Sequence, residues 1–233
     1  MSLKKTISED CGFVLSVYEY REHDAFVLFL GQKQGLIRLV LPGFYKQNSK
    51  QLALGQEFSL VQYQSNFGKN RLNRIYSGKL LNSYKDVRND WDWLLNVSLC
   101  AELITRFYDT IHHQYYYETF ANFLLSEKQT YDLIHIIWDI LAFEGMQPYC
   151  DPCFYCESTK INAFSIKDGG FLCTKHTHQR SDGRLLVQLH ALNLDKLNEV
   201  NLESYELLLK TMMDYLIFHT DHYFNAWKLR SRV

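Results

Sequence analysis

The sequence predicts an α+β chain: a small closed β-barrel over residues 1–82, then an α-helical domain over residues 83–233 with an inserted cysteine loop at about 150–178. Three observations predict it. Five short runs rich in β-branched and aromatic residues fill roughly the first 80 positions. The hydrophobic period then changes from two to about 3.6 at Trp91. Four of the six cysteines fall between Cys150 and Cys173.

The first three strands are expected at residues 12–20, 25–30 and 35–41, bounded by turn formers at Glu22 to Asp24, Gly31 to Gly35 and Pro42-Gly43. In the third, Ile37, Leu39 and Leu41 share one face and Arg38 takes the other. Two more strands follow at residues 57–63 and 71–80, separated by a turn from Ser65 to Gly68. Five strands with such turn spacing suit a closed barrel, and five is the number an OB-fold needs.

From Trp91 the apolar positions Leu94, Leu95, Leu99 and Leu103 mark a helix running toward Tyr108. Residues 112–120 are expected to be helical, placing aromatics between neighbours. A second strong stripe from Tyr131 to Phe143 ends at Gly145 and Pro148. A third comprises Leu202, Tyr205, Leu208, Leu209, Met212 and Leu216.

The 233 residues are 47% apolar and 22% charged, with 3 prolines, which excludes wholesale disorder and collagen-like or low-complexity chains. The opening MSLKKTISEDCG lacks the apolar core of a secretory signal, and no window approaches a membrane span. A soluble, cytoplasmic protein is therefore expected, and the family resemblance described below adds association with the nucleoid. Its cysteines should not form disulfides, and Cys11 and Cys100 read as buried bystanders.

A net charge of −1 seems to argue against a nucleic-acid partner, but it hides a division. Residues 1–88 hold 13 Lys+Arg against 7 Asp+Glu, whereas residues 89–233 hold 12 against 19. Between 31 and 85 nine basic residues face one acid, Glu57. The DNA-binding candidates among them are Lys33, Arg38, Lys46, Lys50, Lys69, Arg71 and Arg74. Phe44, Tyr45, Tyr63, Phe67 and Tyr76 are interleaved with them. Cations that track phosphates and rings that stack bases make a single-strand binding surface. The plainer reading is a solvated barrel rim with the aromatics turned inward.

Cys153, Cys156, Cys173 and His176 form a C-x2-C-x16-C-x2-H pattern, within the range of zinc knuckles. Lys167-Asp-Gly-Gly170 supplies a hairpin turn that returns the second pair to the first. A Cys3His set closes the coordination sphere, so the expected zinc is structural, and its binding would stabilise the loop by on the order of 10 kcal/mol. Cys150 or His178 could replace one of the four ligands. Free thiols without metal are the plainer alternative. A deaminase reading fails because no histidine precedes a glutamate by two positions. The phosphate-loop, dinucleotide, nucleophile-elbow and H-E-x-x-H motifs are missing too. An isolated carboxylate such as Glu144 reads as a helix-end group, so no enzyme is expected.

Gly12-Phe-Val-Leu15, Tyr20-Arg-Glu-His-Asp24, Leu28-Phe-Leu-Gly31, Gly35-Leu-Ile-Arg38 and Pro42-Gly43 together resemble the start of the bacterial DNA repair and recombination family RecO. Phe143-Glu-Gly-Met-Gln-Pro148, the cysteine loop and Tyr215-Leu-Ile-Phe-His219 resemble its later parts. The resemblance implies an OB-fold followed by a helical domain with a zinc-finger-like loop. It also implies binding of single- and double-stranded DNA, strand annealing, and recombinase loading in the RecF pathway. The implied partners are RecR and the C-terminal tail of single-strand-binding protein (SSB). His176 stands where the family has its fourth cysteine, and the loop from Lys46 to Lys50 is less arginine-rich than is usual. One alternative is an interaction module whose barrel docks partner tails, with DNA contact incidental. Another is a metal-dependent hydrolase, which a closed Cys3His site disfavours.

Overall fold

A computed structural model describes residues 7–66, 73–127, 129–197 and 202–230. They divide into two compact units, one through Ser126 and one from Glu127. In the first, β1 (Ile7–Tyr20), β2 (Asp24–Gly31), β3 (Gly35–Leu41), β4 (Leu60–Asn66) and β5 (Ile75–Asn82) form one antiparallel sheet in the order β3-β2-β1-β4-β5. A parallel bridge between Val40 and Arg74 joins its two edges. The Val40 N–H donates to the Asn73 carbonyl across that seam at 2.8 Å. The sheet therefore closes on itself, with five strands in the connectivity of an OB-fold.

β1 is longer than the run predicted from Gly12. Its polar start, from Ile7, pairs with β4 as far as Phe13, while Gly12 to Tyr20 pairs with β2. One strand can serve two neighbours in this way because it bends where the two pairings overlap. A Cβ at Gly12 would stand 3.0 Å from both the Gly31 Cα and the Leu30 carbonyl oxygen, so glycine allows the close approach. A register shift between Val14 and Ser16 adds to the bend. β4 begins later than predicted because Phe58 takes a left-handed conformation (φ 63°), which keeps residues 57–59 out of the strand. Val14, Val27, Phe29, Leu39, Leu41, Val61 and Ile75 fill the barrel.

Asp10, only 2% exposed, organises one end of it. Its carboxylate accepts from the backbone N–H of Lys33 (3.1 Å) and of Gln34 (3.0 Å), and so ties the β2–β3 turn to β1. No sequence pattern pointed to this residue. Two helices complete the unit. α1 (Trp91–Phe107) starts at Asp90, whose side chain caps the Trp93 N–H at 2.9 Å. α2 (His113–Phe123) sets Tyr117 and Phe120 against Phe13 of β1, with ring centroids 5.2 and 5.4 Å apart.

The second unit contains α3 (Gln129–Phe143), a hairpin of β6 (Ile161–Ser165) and β7 (Gly170–Cys173), α4 (Gly183–Asn193), α5 (Leu202–Thr220) and α6 (Asn225–Arg230). α3 ends as predicted, with Gly145 left-handed at φ 67°. The predicted turn at Lys167 to Gly170 is the hairpin turn, with Gly169 at φ 80°. α4 was not anticipated, although Asp182 caps it and Leu185, Leu189 and Leu192 are buried at helical spacing. α3 meets α5 through Tyr131 and Tyr205, 5.6 Å apart, and through the Thr130 hydroxyl, which donates to Glu206 at 3.1 Å. Among the described residues no helix is long and apolar enough to cross a membrane.

Replacing Asp10 by Ala leaves two turn N–H groups without their acceptor, so the substitution should destabilise the chain by about 3 kcal/mol. Urea unfolding of the full chain checks this through a lower midpoint at unchanged slope.

Candidate metal centre and nucleic-acid face

Each half of the C-x2-C-x16-C-x2-H pattern folds as a tight turn around its first cysteine. The Cys153 carbonyl accepts from the N–H groups of Cys156 (3.3 Å) and Glu157 (3.1 Å). The Cys173 carbonyl accepts in the same way from His176 (2.9 Å) and Thr177 (3.1 Å). The β6–β7 hairpin brings the turns face to face, and the Cys173 N–H donates to the Cys153 sulfur at 3.3 Å. As a result the Sγ atoms of Cys153, Cys156 and Cys173 and a ring nitrogen of His176 all lie within 4.8 Å of one another. Cys156 and Cys173 sulfurs are 3.6 Å apart, and His176 Nδ1 is 3.3 and 3.4 Å from the sulfurs of Cys153 and Cys173.

A tetrahedron with metal–sulfur bonds of about 2.3 Å has edges of about 3.8 Å, somewhat shorter where imidazole replaces thiolate. The donor atoms therefore fit a four-coordinate ion without moving far. Burial pushes the Cys153 thiol up, but the Tyr155 and Cys173 N–H groups, His176 and Cys173 outweigh it and bring the thiol down to about 6. His176 is pushed up by Cys153 and Cys173. Closely set thiols and an imidazole that trade protons are groups a cation can displace protons from. Cys150 is no part of this cluster. It is buried in apolar surroundings, and that burial drives its thiol upward. His178 is not in the cluster either.

The loop leans on α5 and α4. Tyr215 sets its ring 5.9 Å from Phe164, His219 donates to the Ile166 carbonyl at 2.7 Å, and His190 reaches the Cys150 carbonyl at 3.0 Å. Its own buried apolar cluster is small: Cys153, Leu172 and Cys173, with Ile161 alongside. A two-stranded hairpin has little independent stability, and with so small a cluster at the cysteine end a bound ion would add to its folding.

The barrel distributes the basic candidates over two ends. Lys33 is exposed in the β2–β3 turn held by Asp10. Arg38 is exposed in the middle of β3, as the alternation predicts, with its guanidinium 5.9 Å from the Phe26 ring centroid. Lys46 and Lys50 are exposed on the loop after β3. That loop is tied to the β1–β2 turn: the Gly43 N–H donates to Asp24 at 2.8 Å, and the Tyr45 N–H to the His23 carbonyl at 3.0 Å. Lys33 is therefore separated from Lys46 by the length of β3, roughly 20 Å at 3.3 Å per residue. Arg74 is half-buried at the barrel seam, its N–H donating to Asn66 at 3.2 Å. Lys69, Arg71 and Phe67 lie outside the described residues.

The interleaved aromatics divide. Tyr45 and Tyr76 are exposed and Phe44 is half-buried. Tyr63 is wholly buried, stacked on Phe29 with centroids 4.7 Å apart, so it belongs to the barrel core and is unavailable to a base. β4 alternation turns it inward, and burial pushes its hydroxyl pKa far up. Tyr18, Tyr20 and Phe26 escaped the sequence reading because they precede the acid-poor window.

Comparison with known proteins adds a family. Residues 3–84 match the family model described as "Recombination protein O N terminal". The chain is similar to the DNA repair protein RecO of Bacillus mycoides (strain KBAB4), at 27% identity over 174 residues, 72% of this chain and 70% of that one. It is similar to the DNA repair protein RecO of Bacillus cereus (strain B4264) at 26% identity with the same coverage. An asparaginyl-tRNA synthetase from Entamoeba histolytica overlaps at a TM-score of 0.30 and 13% identity, over 71% of this chain and 37% of that one, and bears on neither fold nor function. The first strands, which carry part of the sequence resemblance, thus lie within the matched N-terminal region, and the chain as a whole is similar to RecO proteins over about 70% of its length.

Cys173→Ser and His176→Ala should each lower the metal retained per chain at least several-fold, while Cys150→Ala should leave it unchanged. Elemental analysis of protein purified without chelator provides the check.

Proposed function

We propose that the chain is a DNA repair and recombination mediator of the RecO kind. It binds single- and double-stranded DNA, anneals complementary strands, and with RecR assists recombinase loading on DNA coated by SSB. The observation that carries this reading is that the RecO N-terminal match spans the closed five-stranded barrel whose loops and strands expose Lys33, Arg38, Lys46 and Lys50. Such a barrel offers phosphates cations on an ordered backbone, and annealing needs two strands held close with their charge screened and bases accessible. No covalent chemistry is required of any residue. The acid-rich helical unit suits proteins better than DNA, and RecR and the SSB tail are its proposed partners, in the cytoplasm at the nucleoid.

In the same reading Cys153, Cys156, Cys173 and His176 hold a structural zinc ion. All four positions come from the chain, so the ion stabilises the loop and has no open position for a substrate. Lys69, Arg71 and Arg74 extend the DNA-binding set as family-based assignments.

Replacing Arg38, Lys46 and Lys50 together by Ala should weaken single-strand binding and reduce the slope of log K against log salt by about 2, since each phosphate contact contributes about 0.7. Annealing of complementary oligonucleotides should slow in parallel. Full affinity and an unchanged slope in the triple variant would count against the barrel as the DNA-binding part. A wild-type chain that anneals nothing would leave a tail-docking module as the better reading.

A further inference from the structure

Three of the four donors in the cysteine loop are sulfurs, and the fold treats them unequally. Cys153 and Cys173 are buried, whereas Cys156 is exposed. The sulfurs of Cys156 and Cys173 come from opposite turns and stand 3.6 Å apart. A disulfide sets its sulfurs about 2.0 Å apart, so closing this pair asks for a movement of about 1.6 Å between two side chains. The Cys153 sulfur is engaged differently: it accepts the Cys173 N–H at 3.3 Å and lies 3.3 Å from His176 Nδ1. Cys150 is buried and outside the cluster.

We propose that the cysteine loop is an oxidant-sensitive switch, in which a peroxide joins Cys156 to Cys173 and the bound ion is given up. This rests on the structural-zinc reading above and adds what the same residues do under oxidation. With an ion bound all three sulfurs are thiolates, so access to solvent decides which of them meets the oxidant. Of the three only Cys156 is exposed.

The Cys156 sulfur attacks one peroxide oxygen and the O–O bond breaks, leaving a sulfenic acid, while the departing oxygen takes protons from solvent and becomes water. The Cys173 sulfur then attacks the Cys156 sulfur. The S–S bond forms, the S–OH bond breaks, and the hydroxide takes a proton to become a second water. The two sulfurs lose two electrons in all and the peroxide gains them. Two of the four donors are thereby lost, and Cys153 with His176 make only half of a tetrahedral set. The new bond joins the same two turns that the four donors bring together.

The test uses the full-length chain, reduced, loaded with zinc and freed of excess, with its metal content fixed by elemental analysis. Hydrogen peroxide is added without reductant, and a chromogenic chelator follows release. Loss of the bound zinc is expected. Tryptic mapping without reduction should link the peptide that ends at Lys160 to the one from Asp168 to Lys175, with fragmentation placing the bond on Cys156. Dithiothreitol and added zinc should restore the original content. Cys150→Ala keeps all four donors and should release zinc as the wild type does. Zinc retained under peroxide, a bond between Cys153 and Cys156 inside the first peptide, or sulfinic acid in place of a disulfide would each overturn the switch while leaving the metal centre in place. A chain that takes up no zinc at the outset removes the zinc reading, and the switch with it.

Discussion

The barrel depends on β1 bending where it changes partners. Before Gly12 its ladder belongs to β4, and beyond Phe13 to β2, so a single strand crosses from one side of the barrel to the other. Only a residue without a Cβ lets Gly31 and the Leu30 carbonyl come as close as they do. The bend brings β3 and the start of β5 to the same seam, where Val40 and Asn73 exchange a hydrogen bond. Closure removes the free edges that would otherwise invite pairing with other chains.

Asp10 carries the consequence to the β2–β3 turn. A buried carboxylate is tolerated only when its lone pairs are satisfied, and here backbone N–H groups from the turn satisfy them. The turn is held by one acid beneath it, and the lysine it displays, Lys33, faces solvent. A comparable economy appears in the second unit. There the apolar cluster beside the cysteines is small, and the hairpin is held by α5 on one side, while four metal-type donors approach one another on the other. Both parts use a polar centre where a hydrophobic one would be too small.

Much of this was legible in the sequence, for identifiable reasons. The barrel showed through turn residues and β-rich runs, the helices through a change of period, and the cluster of Cys153, Cys156, Cys173 and His176 through spacing alone. Spacing works there because C-x2-C and C-x2-H are local: each fixes one tight turn, and only the hairpin between them had to be supplied. What escaped depends on long-range pairing. Asp10 acquires its role from a turn more than twenty residues away, which no local pattern reports. The polar start of β1 carries no strand signal of its own, and its place is set by β4 beside it. Tyr63 could face base or core until register turned it inward, since tyrosine suits either side of a strand. Tyr18 and Phe26 lie 8 positions apart and become neighbours only through the hairpin.

The charge is divided along the chain, between residues 1–88 and 89–233. An overall charge of −1 would give a uniform chain no attraction for a polyanion, yet the barrel half is basic and the helical half acidic. At physiological salt the Debye length is about 8 Å, so an exposed charge is felt mainly in its own neighbourhood. Net charge is thus a poor guide to a chain whose charge is so unevenly distributed, and the local field is the relevant quantity.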